Sequence, residues 1–210
     1  MYKLPQTLTI EEAEKLIDEL GRHNHTVTSE RKAKRNKLLG LLMLKAGLRV
    51  GELTQLLVSD LWYLDEPVNS LILSKKITKG KTERTIPLGP LTRSQIGLCK
   101  KAIWETNPPT DFAWAFFGAN PYKHISPRQV QHIIVSAGKQ AISKAVHPHV
   151  LRHTFATQLM RITNIRVVQQ LLGHKNIQTT QIYTHPNQDD LVKAINGIDN
   201  DQTTQETKAL

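Results

Sequence analysis

The sequence predicts a mainly α-helical domain carrying one small antiparallel β-sheet, an α+β arrangement. Three observations predict it. Apolar residues recur at helical spacing near both ends of the chain. The pattern switches to strand-like runs only between Leu61 and Leu88. No internal repeat and no second hydrophobic unit interrupts the 210 residues, a length that supports one sizeable core without disulfides.

Each element has a local reason. In "LTIEEAEKLIDEL" Thr9 is placed to cap a helix whose first turn is acidic and whose apolar positions are Ala13, Leu16, Ile17 and Leu20. A second helix runs through "ERKAKRNKLLGLLMLKA", basic at its start and apolar at its end, with Gly47 as its stop. "LRVGELTQLL" then opens a new helix with Arg49 at its mouth. "SLILSKKI" and "TERTIPL" flank "TKGK", which reads as a β-hairpin turning at Gly80. Residues 90–106 return to helix, "DFAWAFFG" fits a buried strand or an extended connector, and Ser126-Pro127 opens another helix. "NIRVVQQLLGH" is a helix stopped by Gly173, which delivers His174 just beyond its end. A short element, "NIQTTQIY", ends in Tyr183, and a last helix is expected near "QDDLVKAINGI". Residues 1–9 read as an N-terminal lead, 10–196 as the domain, and 197–210 as a polar, disordered tail.

Charge and composition narrow the partner. Lys and Arg number 28 against 18 Asp and Glu, a formal charge of +10 that favours a polyanion. The expected partner is nucleic acid rather than membrane: no basic amphipathic helix, lipidation signal, signal peptide or apolar run of about 18 residues accompanies the charge. With Cys99 as the sole cysteine, no disulfide can form within the chain, and a cytoplasmic location is expected.

The chemistry concentrates in "HPHVLRHTFATQL". At about 100° per residue, His149, Arg152 and His153 share one arc of a helix, beside an apolar stripe of Leu151, Phe155 and Leu159. His149 and His153 have the spacing of metal ligands, but Arg152 places a fixed positive charge between them. No Asp or Glu lies between Ala113 and Gln188, so a zinc site would have to be all-histidine. His147 and His153 have a plain structural reading, one bonding backbone and the other orienting a neighbour. Arginine beside histidine suits phosphoryl transfer without a metal, since guanidinium matches two phosphate oxygens and imidazole moves a proton. Such chemistry needs a nucleophile, and Tyr183 follows His174 after eight intervening residues. A tyrosine in that place is usually structural; beside Arg152, His149 and His174 it becomes a candidate.

"AGLRVGELTQL", "TKGKTERTIPL", "HPHVLRHTFATQL" and "LLGHKNIQTTQIYTH" resemble, in order and spacing, the successive signature boxes of the tyrosine recombinases, or phage integrases. The resemblance implies the tyrosine recombinase catalytic-domain fold and a site-specific recombinase that cuts and rejoins double-stranded DNA through a 3′-phosphotyrosine intermediate. It carries the site residues onto Arg49, Lys79, His149, Arg152, His174 and Tyr183. Tyr183 would attack the phosphodiester, helped by His149 in losing its proton. Arg49 and Arg152 would clamp the non-bridging oxygens, His174 would add a hydrogen bond, and Lys79 on the hairpin would protonate the leaving 5′-oxygen. Glu52, one turn after Arg49, reads as the partner that orients it. Lys75, Lys76, Lys81, Arg84, Arg128 and Lys175 are DNA-binding candidates.

The family's chemistry exchanges one ester for another and uses neither ATP nor a metal, so no cofactor is expected. Four protomers on paired DNA sites, with accessory DNA-bending or directionality factors, are the implied assembly, and the last helix would pack on a neighbouring protomer. Most members carry a helical core-binding domain ahead of the catalytic one. This chain starts almost directly at the catalytic part, as a fragment or as one of the shorter members would. Two other readings stand beside recombination: type IB topoisomerase-like relaxation, and a DNA-binding module without chemistry.

Overall fold

A computed structural model of the chain describes residues 5–78, 82–105 and 113–183. Its centre is helix α2, Val27–Lys45, following α1, Ile10–Leu20. From Leu38 to Leu44 every residue of α2 is buried, so this half of the helix is apolar all round and must be enclosed by other elements. The enclosing elements are α1, α5 (Pro90–Cys99), α6 (Pro127–Ile142) and α7 (Pro148–Met160). Helix α1 buries the four apolar residues its spacing predicts, Ala13, Leu16, Ile17 and Leu20. Its start is fixed by a reciprocal cap: Glu12 N donates to Thr9 Oγ1 at 3.1 Å and Thr9 N donates to Glu12 Oε2 at 3.0 Å. The lead ahead of it joins the domain, for Leu8 is buried and its N–H donates to Thr154 Oγ1 on α7 at 2.9 Å.

Two short helices, α3 (Val50–Leu53) and α4 (Val58–Leu61), connect α2 to the β structure. The expected single sheet is instead two separate two-stranded antiparallel ribbons among the described residues. One is the anticipated hairpin, β3 (Ser70–Leu73) with β4 (Arg84–Pro87), in a register that pairs Leu71 with Ile86 and Leu73 with Arg84. Its turn residues Lys79, Gly80 and Lys81 lie outside the described residues. The other, β1 (Trp62–Tyr63) with β2 (Glu66–Pro67), turns through Leu64 and Asp65 at φ 49° and 59°. Such a turn normally signals itself by Asn-Gly or Asp-Gly; here Asp65 is present but no glycine accompanies it.

The predicted helix at 90–106 is α5 followed by a π-helical turn, Lys100–Trp104. Trp104 Nε1 donates to Ala115 O at 3.0 Å, which anchors the extended connector after it. That connector bridges Leu57 to Trp114 and Phe117 to His124 rather than forming a full strand. Ser126 caps α6, accepting from Gln129 N at 3.2 Å. Helix α8 (Ile165–Leu172) ends at Gly173 with φ 62°, and α9 (Gln178–Gln181) leads to Tyr183. The last helix expected near "QDDLVKAINGI" and the tail lie outside the described residues. Among the described residues no helix is long and apolar enough to cross a membrane.

Candidate active site

Where α2 ends, Gly47 takes φ 64° and a Cβ there would collide with the ring of Phe155 on α7. Only glycine allows this close approach, and it turns the Gly47 carbonyl toward Arg152. Arg152 is 5% exposed. Its Nη1 donates to Gly47 O, and its Nη2 donates to Leu172 O at 2.7 Å and meets His174 Nε2 at 3.3 Å. The guanidinium is thus held by carbonyls at the ends of α2 and α8, where the helix dipoles are negative. Burial, and then the charge of Arg49, lower Arg152 to about 9, so it stays a cation at neutral pH. The expected outward arc of His149, Arg152 and His153 is therefore corrected. Arg152 points into the protein, His153 is half-buried, and His149 is exposed.

Arg49 stands at the N-cap of α3. Its N–H and its Nη1 each donate to Glu52, at 2.9 Å and 2.9 Å. Glu52 is 1% exposed and accepts a second arginine: Arg84 Nη1 at 2.9 Å and Nη2 at 2.6 Å. Burial alone would raise Glu52, but the hydrogen bonds and charge of Arg84, joined by Arg49, hold its carboxyl below the ordinary range. Arg84 Nε also donates to Leu171 O at 3.0 Å. Arg84 thereby changes role. The sequence places it among the DNA-binding candidates, but it is 6% exposed and each of its three nitrogens donates to Glu52 or Leu171, so it is a buried strut between the hairpin, α3 and α8.

His174 follows Gly173, and its Nδ1 lies 2.9 Å from Thr180 Oγ1. Burial, and then Arg152, push it down to about 4, so the ring is neutral. Arg152 donating to Nε2 leaves Nδ1–H to donate to Thr180. Thr180, fully buried on α9, is a site residue the sequence reading missed.

Tyr183 sits on a small second core of Phe155, Ala156, Val168 and Leu172. Its hydroxyl is 2.6 Å from Nδ1 of His153. Here the structure departs from the sequence reading twice: His153, given a plain structural reading, touches the nucleophile candidate, and His149, expected to assist it, is not its hydrogen-bond partner among the described contacts. One helical turn separates the two rings, whose centroids are 6.3 Å apart. Burial raises Tyr183, while Arg152 and Arg49 act in the opposite direction.

The remaining candidates are scattered. Lys79 and Lys81 lie outside the described residues. Lys75 and Lys76 are exposed beyond β3, and Lys175 is exposed beside His174. An open cleft between β4 and the end of α8 is lined by Arg166, His174 and Lys175. Arg128 is exposed on the first turn of α6, and no described contact joins it to the cluster.

Comparison with known proteins places the chain among recombinases by sequence and fold. A tyrosine recombinase XerC of Pseudomonas syringae pv. syringae is 35% identical over 184 residues, which is 87% of this chain and 56% of the relative. A tyrosine recombinase of Thermosipho africanus is 36% identical over 185 residues, 87% of this chain and 58% of that one. The chain thus spans a little over half the length of these relatives. Among solved structures, XerA recombinase superimposes with a TM-score of 0.71 at 29% identity, covering 93% of this chain and 66% of that one. XerH site-specific recombinase bound to palindromic difH substrate shares the fold, with a TM-score of 0.68 at 24% identity over 92% of this chain and 53% of its own. The family model matches residues 6–190, nearly all of the chain, and on that match the protein belongs to the phage integrase family.

Proposed function

We propose that this chain is the strand-cutting and strand-joining part of a site-specific DNA recombinase, with Arg49, Arg152, His174 and Tyr183 acting on one phosphodiester. The observation that carries the reading is electrostatic. Arg49 and Arg84 both pair with Glu52, and Arg152 lies near enough to feel the same charge, so three guanidinium groups share this one carboxylate and leave a surplus of two positive charges beside a buried phenol. Such a surplus in a partly desolvated site seeks an anion, and charge spread over the oxygens of a five-coordinate phosphorus matches it.

The steps follow from that placement. The Tyr183 oxygen attacks phosphorus and yields its proton to a neighbouring imidazole; the bond to the 5′-oxygen breaks, leaving a 3′-phosphotyrosine. Arg49 and Arg152 hold the non-bridging oxygens, and His174 adds a hydrogen bond once its Nε2 carries the proton. Thr180 permits that tautomer, because its hydroxyl can donate to Nδ1 as readily as accept from it. Lys79 protonates the leaving oxygen. Attack by a second 5′-hydroxyl reverses the sequence and joins strands. Glu52 orients Arg49. Lys75, Lys76, Lys81 and Lys175 contribute phosphate contacts. Four protomers act on paired double-stranded sites, with accessory factors setting direction.

The test is covalent capture. Incubated with a pool of nicked duplexes of randomised sequence and a chelator, the wild-type chain should retain DNA through denaturation, and Tyr183→Phe should not. Absence of any adduct from the wild type, or an adduct from Tyr183→Phe, overturns the reading. Relaxation of a supercoiled plasmid by a lone protomer, without strand exchange between captured sites, would reassign the chemistry to a topoisomerase.

A further inference from the structure

We propose that His153, the residue directly after the buried arginine, is the general base that takes the phenolic proton of Tyr183. The proposal rests on the recombinase reading and goes beyond it, naming a proton acceptor other than the His149 that the family resemblance implies. The carrying observation is the 2.6 Å contact between His153 Nδ1 and Tyr183 Oη, within hydrogen-bond reach for proton transfer. Among the described hydrogen bonds, the Tyr183 hydroxyl is joined to His153 and not to His149. The Tyr183 side chain is 8% exposed, so water has little access as a competing acceptor.

The surroundings of the ring favour its neutral form. On its own helix His153 faces His149 and Arg152. From the segments packed against α7 it faces Tyr183 and, after α8, His174. No carboxylate is in this group. Burial, then His149 and Arg152, disfavour the imidazolium and keep the ring neutral. In the tautomer the proposal assigns, the proton of the neutral ring resides on Nε2 and Nδ1 accepts from the phenol. As the bond from Tyr183 Oη to phosphorus forms, the phenolic proton passes to Nδ1. The electron pair of the breaking P–O bond leaves with the 5′-oxygen, which takes a proton from the hairpin acid. In rejoining, the imidazolium returns its proton to the phenoxide as the phosphotyrosine bond breaks.

The experiment is single-turnover adduct formation by the full chain across pH. It uses a nicked duplex recovered by covalent capture and the same duplex with sulfur in place of the bridging 5′-oxygen. His174, at about 4, and Arg152, at about 9, titrate outside the window of about pH 5 to 8. The wild-type rate should therefore fall on the acid side as His153 protonates. His153→Asn and His153→Phe should slow cleavage about hundredfold or more and erase that acid limb, with duplex affinity unchanged. The loss should be the same on the sulfur duplex, whose thiolate leaves without a proton. His149→Gln should keep the limb. A wild-type rate in the His153 variants, an acid limb that survives them, or rescue by the sulfur duplex would each overturn the proposal, the last by making His153 the acid instead. Should the variants fail to fold, nitrogen-15 spectra of the wild-type histidines decide. A His153 ring carrying its proton on Nδ1 overturns the proposal, and one carrying it on Nε2, with Nδ1 perturbed by Tyr183→Phe, supports it. An adduct from Tyr183→Phe would be the separate failure of the recombinase reading itself.

Discussion

The two halves of the site are built differently. The arginine half, Arg49, Glu52, Arg84 and Arg152, is inserted into the principal framework: its members hang from α3, β4 and α7 and bond to the ends of α2 and α8. The tyrosine half rests on a satellite core of five buried residues and ends a four-residue helix. The difference teaches that the positive charge is built into the fold's own support, whereas the tyrosine oxygen is attached to it. Substitutions in the first half should therefore cost stability along with chemistry, and those in the second should cost chemistry almost alone.

The largest effect on stability is expected from Glu52→Gln. It leaves Arg84 buried with its countercharge gone and should cost about 3–5 kcal/mol in urea unfolding. A cost below that of an ordinary surface substitution would erase the contrast between the halves. Gly47→Ala comes next, at about 1–3 kcal/mol, because the left-handed backbone and the Phe155 ring both resist a Cβ; thermal unfolding measures it. Tyr183→Phe should abolish the adduct yet cost only about 0.5–1.5 kcal/mol, the worth of one hydrogen bond. A much larger loss would show that the tyrosine half supports the fold as well.

Acid titration separates the halves more finely. His174 is lowered from 6.5 to about 4 in the folded chain, so between those values the unfolded chain binds a proton that the folded one refuses. Its contribution is full above 6.5 and is lost as pH falls toward 4; His174→Gln should flatten that part of a stability-against-pH curve. Glu52, held below its ordinary 4.5, acts in a lower window: its contribution is full above 4.5 and is lost as pH falls through its folded value. The smallest effect belongs to the exposed hairpin lysines. Lys75→Gln with Lys76→Gln should leave stability unchanged and reduce the slope of log affinity against log salt by about 2 at most.

How far the sequence revealed this site depended on distance along the chain. Helix α1 was readable because its cap and its apolar face lie within thirteen residues, Leu8 to Leu20. That Arg49, Arg152, His174 and Tyr183 come together was expected only through the signature boxes, and the structure does set them near one another. Arg84 was not read correctly, because its carboxylate partner is 32 positions away and a basic hairpin disguises one buried arginine among solvated lysines. A signal did exist: Arg84 and Ile86 alternate along β4, with Leu88 in the same rhythm just past its end, which puts Arg84 on the inward face with two apolar neighbours. His153 was misjudged for a related reason. Helical spacing groups it with His149, but only tertiary packing brings Tyr183, 30 residues later, to one of the two rings. Thr180 offered no local sign at all.

The pinning of Arg152 has a consequence for the life of the chain before it is complete. Its guanidinium is oriented by a carbonyl 105 positions earlier and another 20 positions later, and Arg84 ties Glu52 to Leu171 across similar spans. No partly synthesised or partly folded chain can assemble both ties, since they require the hairpin, α2, α7 and α8 to have met. The arginine cluster beside Tyr183 is therefore complete only once the whole fold is, so the site cannot exist in advance of the domain that holds it.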